Sequence, residues 1–254
     1  MNDLQADRLF DSILAKVEKR LGRRLKVSFN KLSTLILQLI SEGGQISGNV
    51  AVLQYEDELT QILTESYEES IREGVIFTRR DLELPPEGDD SMIEEVLFLL
   101  LLWKDTQART QSKLLIKTTI KIYNDAFKKA EDLGLTDTAK SKFISREFNK
   151  ANRGRIETIA TTEAGEAVSR GSLEAAEVES NNEKPVLKRW RSQRDSVVRD
   201  THIRTDRRYS REPIGLRELF EVGASKGPYP RSSMLSIVER INCRCYMRFV
   251  KSGE

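Results

Sequence analysis

The chain has 254 residues, of which 38% are hydrophobic, 32% are charged and only six are proline. This length allows one large domain or two smaller ones, and the low apolar and aromatic content disfavours a β-sandwich and favours long polar helices. The net charge of +2 hides an asymmetry, because residues 1–184 carry −6 and residues 185–254 carry +8, with 13 arginines. The basic part can face DNA or an acidic protein, or it can be a solvated surface with local ion pairs.

The most apolar run, VLFLLLLW at residues 96–103, is too short to cross a bilayer, which needs about 20 residues. It predicts a helix buried on several sides, or a contact between chains. The first ten residues are amphipathic and lack the apolar region of a secretion signal. We therefore expect assembly in a reducing cytoplasm, where the two cysteines need not be bridged.

The N-terminal part is predicted to be helical because apolar residues recur at helical spacing. A first helix over residues 4–21 is predicted to stop at Gly22. A second covers residues 28–40, and a third covers residues 49–72. The expected signals at their ends are Gly43 and Gly44 after the second helix and an N-terminal cap at Asn49 before the third.

Residues 74–91 are predicted to be a connection, because Pro85, Pro86 and the Gly-Asp-Asp sequence at 88–90 interrupt a helix. Ser91 and Glu94 resemble a capping box and start the longest predicted helix, which reaches residue 132. The last long helix is predicted to follow a stop at Gly134, to begin at Thr136 or Asp137, to run toward Glu179 and to be weakened at Gly154, Gly165 and Gly171.

The composition changes at Pro185, after which short apolar runs, turns and arginines replace the long helical pattern. Short strands are predicted at 186–190 and 245–250, a short helix capped by Asp195 is predicted to run through His202, and helical turns are predicted at 216–222 and 232–239. The predicted fold class is mainly α, with a long helical N-terminal part over residues 1–150. A small α+β C-terminal domain with short strands is predicted over residues 151–254.

Residues 150–250 contain an ordered set of short motifs. They are Ile159-Ala160-Thr161-Thr162-Glu163; Lys188 and Trp190; Asp195, Arg199 and His202; Phe220, Gly223 and Tyr229-Pro230; and Ile241-Asn242-Cys243-Arg244-Cys245. On these residues the second part of the chain resembles the phage Mu F-like head morphogenesis domain. Asn-Cys-Arg-Cys near the C-terminus is the most specific motif. The chain departs from the family pattern at two positions, Thr161, where arginine is common, and Arg207, where glycine usually follows the aspartate.

The resemblance implies a minor capsid protein of a tailed phage, located in the virion at the portal vertex or the capsid interior. Family members associate with the portal protein during assembly, and some leave the head with the DNA on ejection. The major capsid protein, the scaffolding protein and the packaged viral DNA are further candidate partners. The helical region 1–150 would then serve portal binding or self-association.

Two hypotheses concern the polar residues of the motifs. On a helix, Asp195, Arg199 and His202 would share one face, and on a strand Cys243 and Cys245 would point to one side. These groups could bind a tetrahedral zinc through Asp195, His202 and two thiolates. Alternatively, they form a structural polar cluster in which Asp195 caps the helix, Arg199 pairs with an acid and His202 donates to a carbonyl. Because Cys-x-Cys is not the usual zinc spacing, we predict the polar cluster, no cofactor and no stoichiometric zinc.

Other residues carry separate predictions. A disulfide between Cys243 and Cys245 is disfavoured, because their Cβ atoms would be parallel and too far apart on a strand. Trp190 is predicted to lie in the core. Glu163 is predicted either to be exposed or to pair with Arg199 or Arg244 and so join the polar cluster. The candidate contacts for DNA or an acidic partner are Arg204, Arg207, Arg208 and Arg211.

We predict that the chain is not an enzyme. Either cysteine with His202 and Asp195 has the composition of a Cys-His-Asp catalytic set, but two thiols on one strand edge are unusual for that role. One histidine is too few for a His-Asn-His nuclease, and the sequence has no glycine-rich phosphate loop. The alternative function is a DNA-binding or nuclease-like factor that acts on packaged DNA.

Overall fold

A computed structural model describes residues 1–42, 50–86, 89–182 and 185–252. It confirms the predicted fold class: a long helical N-terminal part and a small C-terminal region with short antiparallel strands. The described elements are, in order, α1 (Asp3–Ser41), α2 (Val50–Asp81), α3 (Asp89–Leu99), α4 (Leu101–Asp132), α5 (Asp137–Asn182), β1 (Val186–Arg191), α6 (Asp200–Arg211), β2 (Ile214–Gly215), β3 (Phe220–Val222), β4 (Ser225–Gly227), α7 (Ile237–Arg240) and β5 (Tyr246–Lys251).

The first two helices are longer than predicted. The predicted stop at Gly22 is wrong, because Leu21 and Leu25 continue one buried stripe through it and a single glycine costs only about 1 kcal/mol in a helix. Helix α2 does not end near residue 72, because Val75 and Phe77 extend its buried face. The predicted signals at residues 43, 44, 49 and 88 lie outside the described residues.

The later helices follow the sequence signals more closely. One helix was predicted from residue 91 to residue 132, and the structure has α3 and α4, separated only at the buried Leu100. Gly134, with φ of 64°, follows the end of α4 in the left-handed conformation that glycine adopts freely. Helix α5 runs without a break through its three glycines.

The apolar run at residues 96–103 is only half buried. Phe98 and Leu102 are 77% and 80% exposed, and Leu99 and Leu101 are about half exposed. The expectation of a helix buried on several sides is therefore wrong, whereas a contact between chains stays a prediction. Within the described ranges, no helix combines the length and the apolar character that a membrane crossing requires.

The chain packs as two compact units, each assembled from separate segments. One unit contains Met1–Lys19, Ser66–Leu102 and Ala160–Glu254, and the other contains Arg20–Glu65 and Trp103–Ile159. These units follow packing rather than chain order. The division at residues 150 and 151 stays a prediction about function.

The C-terminal core of the first unit forms on a three-stranded antiparallel sheet with the order β2-β1-β5. Trp190 on β1 is opposite Met247 on β5, is fully buried and meets Phe220 edge to face. The predicted helical turn at 216–222 is wrong, because Phe220 and Val222 point inward while Glu221 between them is exposed. This alternation is the period of a strand, not of a helix.

Candidate functional site

Three side chains that commonly bind metals meet inside the C-terminal core. His202 lies on α6, and Cys243 and Cys245 lie in the segment that leads into β5. The Nδ1 atom of His202 is 3.2 Å from the Cys245 sulfur and 3.6 Å from the Cys243 sulfur. All three residues are at most 2% exposed, and both cysteines are free. Their ligand atoms lie within 4.8 Å of one another.

Local sequence explains why these groups point inward. Helix α6 buries His202, Thr205, Asp206 and Tyr209, which recur every three or four residues and so share one helix face. On the other side, Asn242 has φ of 53°, a left-handed conformation that asparagine tolerates better than most residues. This turn sends the chain into β5 with both thiols on the buried side.

Glu239, which the sequence analysis missed, holds the other side of the imidazole. Its Oε2 atom is 3.0 Å from His202 Nε2 and accepts a hydrogen bond of 2.8 Å from Thr201 Oγ1. The carboxylate therefore fixes the ring with Nδ1 facing the thiols. One signal could have found it: Glu239 is the only acidic residue between positions 222 and 253.

The two thiols differ in their electrostatics. Burial raises the pKa of Cys243, but contacts with Cys245 and His202 and the charge of Arg231 outweigh burial and hold this pKa well below its usual value. Burial and the neighbouring Cys243 raise the pKa of Cys245 well above its usual value. The pair therefore favours one thiolate and one thiol when nothing else is bound.

Asp195, Arg199 and Arg244 surround the cluster and do not join it. Helix α6 begins at Asp200, so Asp195 does not cap it and shares no helix face with His202. Asp195 instead accepts a hydrogen bond of 3.2 Å from the Val197 amide and pairs with Arg244, both carboxylate and guanidinium being about 40% exposed. Both predictions for Asp195, that it caps the helix and that it shares a face with His202, are wrong because the helix starts four residues later than expected.

A small cleft of about 40 Å³ leads from the cluster to the surface. This space holds one or two water molecules and is far smaller than the roughly 300 to 1,000 Å³ of a pocket for a small-molecule ligand. Arg199, whose guanidinium donates to the Ile241 carbonyl at 2.5 Å, lies at the edge of the cleft. The cleft is lined by Gln193, Val197, Val198, Arg199, His202, Asn242, Cys243, Arg244 and Cys245.

Glu163 is buried, but its partners differ from those predicted. Tyr67 donates to Glu163 Oε2 at 2.6 Å, and the Arg240 guanidinium lies 3.6 Å from Oε1. The predicted partners Arg199 and Arg244 are wrong, because both are engaged elsewhere, at the cleft. Sequence spacing could not identify Tyr67, which is 96 residues from Glu163.

Replacing Glu163 with alanine is expected to lower the free energy of unfolding by about 2 to 3 kcal/mol, because the buried Tyr67 hydroxyl loses its acceptor and Arg240 loses one of its two ion-pair partners. Chemical denaturation followed by circular dichroism measures the change. The matched control is Glu157→Ala on the same helix, where the glutamate is exposed and the expected change is under about 0.5 kcal/mol. Equal stabilities of the two variants would show that the buried network contributes nothing.

Arg231 is a second functional candidate that the sequence analysis missed. It is fully buried, and its guanidinium donates to the carbonyls of Cys243 and Gly165, the latter at 3.2 Å. A Cβ atom on Gly165 would lie 2.4 Å from Arg231 Nε, so this position accommodates the arginine because it has no side chain. Arg231 thereby joins α5 to the thiol segment.

The predicted arginine surface lies on the outer face of α6. Arg204, Arg207 and Arg211 are exposed, and Arg208 is exposed but pairs with Glu221 at 2.5 Å. A groove of about 470 Å³ runs beside this face and is lined in part by Arg207 and Arg211. This side of the helix is therefore basic and open to a partner.

No family model, no curated protein and no solved structure matches this chain. The residues and their contacts are therefore the basis for any proposal about function. Lys188, another of the motif residues, also lies in the core and donates to the carbonyls of Leu216 and Pro228 at 2.6 and 2.8 Å.

Proposed function

We propose that the chain is a minor head protein of a tailed phage, of the Mu F type, and that it is a non-enzymatic component of the virion at the portal vertex. One observation carries the proposal. The motif segments that resemble the Mu F-like domain are distant in sequence, yet they meet in one core.

The contacts between these segments are specific. The amide of Asn242 donates to Thr162 Oγ1 at 3.4 Å, which joins the first motif to the last. Trp190 meets the His202 ring edge to face, with ring centroids 5.5 Å apart, which joins the two middle motifs. Unrelated matches scattered along a chain would have no physical reason to share a core, so this convergence supports the resemblance.

The thiols are buried out of reach of a substrate, which favours a structural role over an enzymatic one. Cys243 and Cys245 are 1% and 2% exposed, and the cleft beside them is too small for a substrate. Although Cys243, His202 and Glu239 have the composition of a catalytic triad, a nucleophile must reach its substrate. The set is better explained as a core element.

The second candidate function is binding of packaged DNA by the basic face of α6. Exposed arginines provide the phosphate contacts that nonspecific binding needs. A nuclease role is less well supported, because the metal-capable group found within the described ranges is a soft His/Cys/Cys set, whereas magnesium prefers carboxylates and water.

The location can be tested directly on purified particles of the virus whose genome encodes the chain. We expect mass spectrometry to find the protein in mature heads, and cross-linking to join it to the portal protein. Comparison of full and emptied particles reports whether it leaves with the DNA. A chain that is abundant in infected cells but absent from both procapsids and mature particles would refute the virion role.

The DNA alternative predicts salt-sensitive binding. Filter binding at about 50 mM and 200 mM salt should show retention that falls steeply with salt and that is weakened by the triple variant Arg204→Gln, Arg207→Gln, Arg211→Gln. The matched control is Arg208→Gln, because this arginine already pairs with Glu221. Under the structural proposal alone, neither salt concentration gives retention above a neutral control protein.

A further inference from the structure

We propose that His202, Cys243 and Cys245 bind one zinc ion through the imidazole Nδ1 and two thiolates. This site is independent of the proposed virion role. The sequence spacing alone predicted no zinc, and the convergence of three buried ligand atoms changes that expectation.

The distances between the ligand atoms fit a shared metal. Zinc binds sulfur at about 2.3 Å and nitrogen at about 2.0 to 2.1 Å, so a nitrogen and a sulfur on one tetrahedral zinc lie about 3.5 Å apart. The His202 Nδ1 atom is 3.2 and 3.6 Å from the two sulfurs. An ion between the three atoms therefore needs only small side-chain adjustments.

The orientation of the imidazole is a second, independent observation. Glu239 Oε2 lies 3.0 Å from Nε2, and in the tautomer in which Nε2–H donates to this carboxylate the Nδ1 lone pair is directed at both sulfurs. A carboxylate behind the histidine is the usual outer partner of a metal-bound imidazole, because it fixes the ring and raises its basicity. One nitrogen that faces two sulfur atoms is the arrangement expected of three ligands that bind the same metal ion.

The charges near the site also suit a divalent cation. Two thiolates neutralise Zn²⁺, and Arg231, which donates to the Cys243 carbonyl, offsets the charge of Glu239. Zinc displaces the protons of its thiol ligands on binding, so zinc affinity should fall in acidic solution.

Asp195 is not the fourth ligand that the sequence suggested, because it is paired with Arg244 at the surface. Water in the adjoining cleft of about 40 Å³ can complete the coordination. The resulting site has three protein ligands and one water. Its main effect is to fasten α6 to the segment before β5, two elements that are about 40 residues apart in sequence.

The test is elemental analysis of the full chain after equilibration with zinc chloride and removal of loosely bound metal. We expect one zinc per chain in the wild type and in Asp195→Asn, the matched control. The Cys243→Ser, Cys245→Ser double variant should hold none. Glu239→Gln should bind zinc about 10 to 100 times more weakly. Cobalt(II) added to the metal-free wild type should produce a thiolate-to-cobalt charge-transfer band, which reports sulfur ligation without any variant.

Either of two results would overturn the proposal. One is a wild type that retains no zinc and shows no charge-transfer band with cobalt. The other is a double serine variant that retains as much zinc as the wild type, which would show adventitious surface binding. If Asp195→Asn loses the metal while remaining folded, the ligand set inferred from the structure is wrong and the sequence-based set is favoured.

Discussion

Gly171→Ala is expected to destabilise the protein by about 2 to 3 kcal/mol, the upper part of the range of about 1 to 3 kcal/mol that is usual for overpacking. A Cβ atom at this position would lie 2.6 Å from the Ile71 carbonyl oxygen and 2.8 Å from its Cα. Both are backbone atoms of α2, so the clash cannot be relieved by rotating a side chain. Helix α2 would have to move away from α5.

The contact is reciprocal, which is why the effect should be large. A Cβ on Gly74 of α2 would lie 2.3 Å from the Val168 carbonyl on α5. Ser172 donates to the Gly74 carbonyl at 3.1 Å, and Thr78 donates to the Ser172 carbonyl at 3.0 Å. These bonds form only when the two backbones approach closely, so separating the helices would break both.

The same helix supplies the control. Nothing lies within 4 Å of a Cβ placed on Gly154, so Gly154→Ala should stabilise the protein by about 0.5 to 1 kcal/mol, because alanine loses less conformational entropy than glycine on forming a helix. Urea unfolding followed by circular dichroism compares the two variants. If both alanines stabilise the protein, the close approach of α2 and α5 is not part of the native structure.

Stability should fall as pH rises toward about 7, because of Glu166. Burial is the largest cause that raises its pKa from 4.5 to about 7, and the neighbouring charge of Glu163 adds to the rise. Arg240, at 2.9 Å, and the Ser233 amide, at 3.1 Å, lower it only in part. The folded protein therefore holds this proton more tightly than the unfolded chain does.

The direction in which stability changes with pH follows from this difference in proton affinity. Because the pKa is raised on folding, the stabilising contribution of Glu166 is fully present below about pH 4.5 and is lost as pH rises through about 7. The corresponding loss is roughly 3 kcal/mol. The carboxylates of Asp7 and Asp206 have lowered pKa values, so their contributions are lost only in more acidic solution. Burial also raises the pKa values of Glu18 and Asp81, so the comparison of wild type with Glu166→Gln isolates the contribution of Glu166.

Urea unfolding at several pH values between 5 and 8 would measure the effect. The wild type should lose stability across this range, and Glu166→Gln, which cannot titrate, should lack that component of the slope. The matched control is Glu157→Gln, whose exposed side chain should leave the slope unchanged. Parallel curves for wild type and Glu166→Gln would contradict the raised pKa.

Much of the fold could be predicted from short stretches of sequence. The spacing of apolar residues predicted the long helices, Gly134 marked the end of α4, and both β1 and β5 were found within about one residue of their ends. These features depend on interactions among neighbouring residues, which a periodic pattern records. The errors occurred where packing overrides local preference. At Gly22, for example, the helix continues because the buried residues on either side of the glycine form one continuous stripe.

The candidate site, like the fold, was only partly predictable from the sequence. Residue type and order were enough to single out His202, Cys243 and Cys245, because few residue types bind metals or act as nucleophiles. Their orienting partners were not predictable: Glu239 reaches the cluster from the short helix α7 and Arg231 from a turn, and the positions of both depend on the whole core. Composition and periodicity thus determined the helical class and the reactive residues, whereas the tertiary structure decided which groups touch, because such contacts join residues far apart in sequence.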